Sequence, residues 1–259
     1  MEDNIIMKRE GLNCFGRFVA GEIVDRAYKL NISEESKQNL NEVGILLKDD
    51  KNLSVIFYGN HTTNGDSGIL GFALNIADPE GTRKIFAPMS YSHTKFDLKN
   101  SSSLVLAGLV ELSGVETKRV IQTYQVTDEN RDKAKKYSAS YFRTLREYKR
   151  KGISVALIIF PEGHRPEDGK MIKFEDGLVA SGFALNPVLY VPVGINFQRP
   201  FDRNGLNFGN NVTVGIGDYY LQTHRGNMEE TNKILTTNLA RVVFEDRRGF
   251  YADLPEIRK

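Results

Sequence analysis

The feature that most limits the fold of this chain is a series of short apolar segments rich in β-branched residues. They recur at intervals of roughly 30 residues, the spacing of β-α-β units. Several contain almost nothing but Val, Ile, Leu and Phe, as expected of strands that helices cover on both faces, and such strands are usually parallel. The predicted strands are residues 53–60, 84–90, 119–126, 153–161, 189–197 and 211–220.

Helical spacing of apolar residues fills most of the intervals between these strands. The pattern predicts an α/β fold, a mainly parallel twisted sheet of about six to seven strands flanked by helices and preceded by a helical N-terminal segment. The predicted helices are residues 12–30, 34–48, 67–77, 100–113, 130–151, 176–186 and 228–246. Since no repeat or linker divides the 259 residues, we expect one domain, 1–259, with a helical segment at 1–50 and an α/β core at 51–259.

The composition argues against several classes of protein. The 35 Lys and Arg residues nearly balance the 33 Asp and Glu residues, so a formal net charge of +2 does not favour binding to nucleic acid. Cys14 is the only cysteine, which fits a reducing cytoplasm. No apolar run approaches the roughly 20 residues that span a bilayer. We therefore expect a cytoplasmic protein, with any membrane contact being peripheral.

Two segments offer such a peripheral contact. The first predicted helix presents Leu12, Phe15 and Phe18, which either rest on a membrane surface or pack against the sheet. Residues 131–151 carry nine Lys or Arg residues against two acids. This basic face is either simply solvated or also meets anionic lipid or an acidic carrier protein.

Two polar segments follow predicted strands at the edge where parallel sheets bind ligands. The first is NHTTNGD at residues 60–66, and the second is FPEGHR at residues 160–165. Both concentrate ionisable residues and glycine just after an apolar strand. The sequence therefore predicts a functional site formed by these two segments.

In the first segment, His61 and Asp66 suit general base chemistry. The Asn64–Gly65 pair is typical of a tight turn, which can fold the Asp66 carboxylate back onto the imidazole. A carboxylate on one ring nitrogen fixes the tautomer and leaves the other nitrogen free as a base. In the alternative interpretation, Asp66 only caps the next helix and His61 is an ordinary rim residue.

In the second segment, Glu162, Gly163 and Arg165 suit recognition of an anion. Glycine permits close backbone approach, arginine offers a planar fork for phosphate or carboxylate, and the glutamate can accept from a hydroxyl or orient the arginine. Alone, the segment fits a strand-to-helix turn with a surface ion pair equally well.

Three blocks together resemble the glycerolipid acyltransferases, the lysophosphatidate acyltransferase family. NHTTNGD resembles the family's N-H-x4-D block, and FPEGHRPEDGKMIKFEDGLVASG resembles its F-P-E-G-T-R-S block with the F-K-x-G that follows. YVPVGINF resembles the subsequent V-P-V-x-I block. The blocks occur in the family's order and cover approximately residues 50–200.

The resemblance implies transfer of a fatty acyl chain from a thioester, acyl-CoA or acyl carrier protein, to a hydroxyl of a lysophospholipid or glycerol phosphate. His61 would be the general base and Asp66 would orient it. Glu162, Gly163 and Arg165 would bind the acceptor. The thioester is a co-substrate, and neither a cofactor nor a metal is implied.

The sequence departs from the family pattern around the acceptor. His164 and Pro166 replace the Thr and Ser of T-R-S, and Glu175 and Asp176 replace the lysines of F-K-K-G. The arginine expected before the 130–151 helix is missing or displaced to Arg131. The identity of the acceptor therefore stays open.

Two other functions fit parts of the sequence. One is a metal-assisted hydrolase that uses His61 and Asp66 with His93 or His164. The other is a non-catalytic lipid-binding module on the same fold. Consumption of a thioester, and its dependence on an acceptor, would separate the three functions.

Overall fold

The computed structural model describes residues 22–90 and 115–254, which form one sheet with helices on both faces. The strands are β1 (Lys29–Ile32), β2 (Ser54–Gly59), β3 (Lys84–Ser90), β4 (Glu116–Val120), β5 (Val155–Ile159), β6 (Val188–Phe197), β7 (Asn211–Ile216) and β8 (Tyr220–Gln222). The helices are α1 (Glu34–Asp49), α2 (Asp66–Ala77), α3 (Arg131–Arg150), α4 (Gly177–Leu185) and α5 (Met228–Val242). None of the helices in these two ranges is long and apolar enough to cross a membrane.

The sheet is mainly parallel, as predicted. Its strand order is β1-β7-β6-β2-β5-β3-β4, and β8 pairs with β6 next to β7. Among the strands of residues 22–90 and 115–254, only the pairs that β6 forms with β7 and with β8 are antiparallel. The five remaining pairs are parallel, which places β2 between β5 and β6 at the centre.

The apolar side chains of the central strands serve two cores, one on each face of the sheet. In β2, Val55 and Phe57 pack toward α1 and α2. Ile56 and Tyr58 point the other way, into a core shared with α3, α4 and α5. Because both faces are covered, successive residues in the middle of this strand are buried, which explains the apolar and aromatic run at residues 55–58.

The helix predicted over residues 12–30 is wrong at its end. Residues 22–27 are helical, but Lys29–Ile32 form β1, which pairs in parallel with β7 at the sheet edge. Leu30 and Ile32 pack against the core, whereas Lys29 and Asn31 are exposed. This two-residue alternation suits an edge strand, and pairing satisfies backbone groups that β7 would otherwise expose.

Two further predictions need correction. The strand predicted at 119–126 lies earlier, as β4, and its second half becomes a 3-10 turn at Thr123–Gln125. The strand predicted at 211–220 is divided into β7 and β8, so with β1 the sheet has eight strands rather than six or seven. The predicted helix at 100–113, residues 12–21 with Cys14, and His93 lie outside the described residues.

Pro192 shows how a proline fits into a central strand. On the β2 side it is in register with Tyr58. On its other side β8 pairs up to Tyr190 and β7 pairs from Val193, so Pro192 lies where one partner strand replaces the other. Its carbonyl accepts from Gly217 N–H at 3.2 Å. Proline has no backbone N–H, and at this position the ladder of hydrogen bonds is interrupted. No ladder bond is therefore lost.

Candidate active site

Three loops meet at the carboxyl edge of the sheet because β2, β5 and β6 are neighbours. They are residues 60–66 after β2, residues 160–176 after β5 and residues 198–210 after β6. The two polar segments selected from the sequence are the first loop and the beginning of the second. The third loop was not selected.

The first loop brings His61 and Asp66 together. His61 Nδ1 lies 2.9 Å from Asp66 Oδ2. Since an ionised carboxylate can only accept, Nδ1 is the donor in this pair, and in the neutral imidazole Nε2 is then the nitrogen without a proton. The His61 side chain is 20% exposed and its ring stacks on Phe160 with centroids 4.2 Å apart. The imidazole is thus held by its edge and one face while remaining accessible to solvent.

Asp66 also holds the turn that carries His61. Its side chain is completely buried at the first residue of α2. Oδ2 additionally accepts from the backbone N–H groups of Thr62 and Thr63, and Oδ1 accepts from the Thr63 hydroxyl at 2.9 Å. One carboxylate therefore fixes both the backbone of the turn and the orientation of the imidazole.

Gly65 lets this turn pack against residues far away in the sequence. A Cβ atom at this position would lie 2.1 Å from Tyr28 Oη and 2.8 Å from the Leu206 carbonyl oxygen. Tyr28 donates its hydroxyl hydrogen to that same carbonyl. The φ of Gly65 is −78°, so glycine is needed here for space rather than for a left-handed backbone.

Glu162 connects the first loop to the second. Its Oε1 accepts from His61 N–H at 2.8 Å, and its Oε2 accepts from Ile172 N–H at 3.1 Å. Only 1% of the residue is exposed, and this burial raises the pKa of its carboxyl to about 8 although both N–H groups lower it. Its burial leaves little surface for direct contact with a substrate.

Gly163 follows in a left-handed conformation, with φ at +74°. Its N–H donates to the Phe160 carbonyl at 3.1 Å, which closes a turn over Pro161 and Glu162. The nearest atom to a Cβ here would be Glu175 Cγ at 3.6 Å. Glycine is thus required by the backbone conformation rather than by a lack of space, since 3.6 Å is an ordinary van der Waals contact.

Arg165 lies against both of the other loops. Its Nη1 donates to Asn64 Oδ1 in the first loop and, at 2.8 Å, to the Arg203 carbonyl in the third. Burial lowers the pKa of its guanidinium, Asp66 raises it and Arg203 lowers it. The group remains charged at neutral pH because arginine titrates far above that range.

The residues at the departures from the family pattern have local partners. Glu175 accepts from the Thr123 hydroxyl at 3.0 Å, and the His164 ring lies 4.5 Å from the ring of Tyr124. Arg131, considered as a displaced phosphate ligand, pairs with Asp128 at 2.6 Å. Asp176 precedes α4 as its N-cap residue.

Sequence reasoning missed Arg203 and Tyr28. Arg203 does carry a sequence signal, because its loop follows the predicted strand at 189–197 and ligands bind beyond the carboxyl ends of parallel strands. Tyr28 gave no comparable signal, because its contacts with the turn depend on the position of β1 in the sheet.

Comparison with known structures shows where this fold occurs. The chain is similar to the crystal structure of the 1-acyl-sn-glycerophosphate (LPA) acyltransferase PlsC from Thermotoga maritima. The TM-score is 0.51, and the similarity covers 93% of this chain and 87% of that one. The two chains share a fold. Their sequences are 17% identical, and no protein-family model and no curated protein sequence matches this chain.

Within residues 22–90 and 115–254, no group of three or more His, Cys, Asp or Glu side chains is arranged to hold a metal ion. His164, one of the two histidines considered for a metal-assisted hydrolase, packs on Tyr124. The other, His93, lies outside these ranges.

Proposed function

We propose that this chain is an O-acyltransferase, which moves a fatty acyl group from a thioester to a hydroxyl of a lysophospholipid or glycerol phosphate. The observation that supports it most is the buried Asp66 carboxylate 2.9 Å from His61 Nδ1, which leaves Nε2 of a 20% exposed side chain available as a base. The fold shared with an acyltransferase and the three sequence blocks support the same reaction class.

In this mechanism His61 Nε2 takes the proton of the acceptor hydroxyl as its oxygen attacks the thioester carbonyl carbon. The C–S bond breaks as the new ester forms, and the thiolate leaves with the proton from the imidazolium. Asp66 stabilises the imidazolium through the Nδ1–H bond. General base assistance of this kind contributes a factor of roughly 10² to 10⁴ to the rate.

The second loop supplies the acceptor site in this proposal. Arg165 contributes a positive charge next to the turn that carries His61, and Gly163 allows the left-handed backbone conformation between Glu162 and Arg165. We propose that Glu162, which the sequence suggested as an acceptor ligand, instead positions His61, since both of its oxygens accept from backbone N–H groups. The proposed place of action is the cytoplasm, with peripheral contact where the lipid acceptor lies in a membrane.

The first experiment replaces His61 by Ala and measures transfer of acyl chains from acyl-CoA and acyl carrier protein to a panel of lysophospholipids and glycerol 3-phosphate. We expect at least a hundredfold lower rate, roughly the lower limit of a general base contribution. The matched control is His224→Ala, because His224 is exposed and lies between β8 and α5. An unchanged rate in His61→Ala would contradict the mechanism.

The same assay separates the other two functions. Release of thiol without any acceptor, inhibited by a chelator and restored by added metal, would favour the hydrolase. Lipid binding without any consumption of thioester would favour the binding module. Acceptor-dependent thiol release that a chelator does not affect supports the acyltransferase.

A further inference from the structure

We infer that Arg203 is a second ligand for the phosphate of the acceptor and that it forms, with Arg165, a two-arginine phosphate site between the second and third loops. We call these two residues the arginine pair. The inference rests on the proposed function for the identity of the acceptor, whereas the site itself rests on the contacts described next.

Reciprocal hydrogen bonds hold the arginine pair together. Arg165 Nη1 donates to the Arg203 carbonyl at 2.8 Å, and Arg203 Nη2 donates to the Arg165 carbonyl at 2.7 Å. Each guanidinium thus lies against the backbone of the other residue. These bonds fix two positively charged side chains in the same region, beside the turn that carries His61, although their charges repel each other.

No carboxylate among the described residues is hydrogen-bonded to the arginine pair, although Asp66 and Asp202 raise the pKa of Arg165 through space. Glu167 lies 4.0 Å from Arg203 but is 95% exposed, so its pairing is weak. Asp202 accepts from Asn204 N–H at 2.9 Å within its own loop. Asp66 already receives bonds from the His61 ring, from two backbone N–H groups and from the Thr63 hydroxyl.

Arg203 also retains capacity to donate. Its Nε is buried and has no hydrogen-bond partner among the described residues. A buried donor without a partner is costly, and so is the repulsion between two adjacent guanidinium groups. The Arg203 side chain as a whole is 38% exposed, so an anion with several acceptor oxygens can reach its guanidinium and offset the repulsion. A phosphomonoester matches the planar fork of arginine better than a single hydroxyl does.

The third loop is built to hold this position. Asn64 Nδ2 donates to the Asn204 carbonyl, and Asn64 N–H donates to the Gly205 carbonyl at 3.3 Å. The backbone next to Arg203 is therefore bonded to the turn that carries His61. A phosphate bound by the arginine pair would lie close to the base that activates the hydroxyl of the same acceptor molecule.

The test compares binding of three soluble probes to the full chain, without thioester, by isothermal titration calorimetry. The probes are glycerol 3-phosphate, a short-chain 1-acylglycerol 3-phosphate and the corresponding monoacylglycerol. We expect Arg203→Ala to weaken binding of both phosphorylated probes by about 10- to 150-fold, as for loss of a charge-assisted hydrogen bond. Binding of the monoacylglycerol should stay the same, and Arg203→Lys should recover part of the loss.

Arg203→Ala is an informative variant because the carbonyl that accepts from Arg165 belongs to the backbone and is retained. The matched control is Arg199→Ala in the same loop, where the side chain pairs with Asp246 at 3.9 Å instead. We expect this control to bind all three probes as the wild type does. Coenzyme A serves as a fourth probe, since its phosphates belong to a donor.

Equal loss for the phosphorylated and unphosphorylated probes would make Arg203 a structural residue and overturn the inference. So would a loss confined to coenzyme A, or unchanged binding of the phosphorylated probes. Arg203-dependent phosphate binding in a chain that transfers no acyl group would refute the proposed function while supporting the arginine pair. If Arg203→Ala transfers acyl groups normally and binds the phosphorylated probes as the wild type does, the proposed function is supported and the arginine pair is refuted.

Discussion

Replacing Asp66 by Asn should separate the charge of this residue from its hydrogen bonds. Three N–H donors surround Oδ2, and one hydroxyl faces Oδ1. An amide fits this arrangement with its oxygen at the Oδ2 position and its NH₂ group toward the Thr63 hydroxyl, which can accept. The reverse orientation would place the NH₂ group against two backbone N–H groups. His61 therefore keeps its tautomer, and mainly the negative charge is lost.

The size of the effect follows from the contact distance. Nδ1 and Oδ2 are 2.9 Å apart, so the centres of the imidazolium and carboxylate charges would lie roughly 4 Å apart, where their attraction is about 4 kcal/mol at an effective dielectric constant of 20. Losing it in the transition state lowers the rate by about a thousandfold. The free energy of unfolding should fall less than in a variant without the side chain. Neutral hydrogen bonds replace charged ones at a cost of about 1 kcal/mol per bond, and the removed cost of burying a charge offsets part of this.

Asp66→Ala provides the contrast. It leaves the buried N–H groups of Thr62 and Thr63 without their acceptor, and each orphaned donor costs about 1–3 kcal/mol. We expect this variant to lose both activity and several kcal/mol of stability. Initial rates of thiol release and urea unfolding, measured on both variants, test the argument. A rate for Asp66→Asn within tenfold of wild type, or a stability as low as that of Asp66→Ala, would refute it.

Two further predictions concern the neighbours of this turn. Gly65→Ala should destabilise the chain by about 1–3 kcal/mol through overpacking, measured by thermal unfolding. Adding Tyr28→Phe should recover part of this loss, because the hydroxyl oxygen 2.1 Å from the new Cβ is then absent. A Gly65→Ala variant as stable as the wild type would contradict the described packing. For Glu162, a carboxyl pKa raised from 4.5 to about 8 means that folding takes up a proton. The free energy of unfolding should therefore fall between pH 4.5 and about 8, by up to about 1.4 kcal/mol per pH unit. Glu162→Gln should lack this contribution in urea unfolding across that range, and identical pH profiles would count against a raised pKa.

The sequence predicts the central part of the fold because its signals there are local. Consecutive apolar or aromatic residues at positions 55–58 in β2 already indicate cover on both faces, and helical spacing locates α3 to within one residue at each end. The short edge elements could not be predicted in this way. Four residues in β1 and three in β8 contain too little periodicity, and each is a strand only because an open sheet edge lies beside it.

In the candidate site too, contacts between residues close in sequence could be predicted and contacts between distant residues could not. His61 and Asp66 are five residues apart, so turn chemistry alone suggests their contact. Arg203 meets Arg165 across 38 residues of chain, and Glu162 meets His61 across 101. Such contacts depend on which strands become neighbours in the sheet. The sequence predicts that the second loop belongs to the site, but only the fold shows that Glu162 is buried and accepts from backbone N–H groups.

Because of the position of Tyr28, local opening of the edge strand β1, which hydrogen exchange of its amides reports, also disturbs the candidate site. Tyr28 immediately precedes β1, and its ring lies behind Gly65 while its hydroxyl holds the Leu206 carbonyl of the third loop. Edge strands belong to the parts of a protein that open most readily by local unfolding. Each opening of β1 that carries Tyr28 away also removes the support behind the turn that orients His61. The free energy of this local opening therefore limits the fraction of molecules in which the base, its carboxylate and the arginine pair are assembled together.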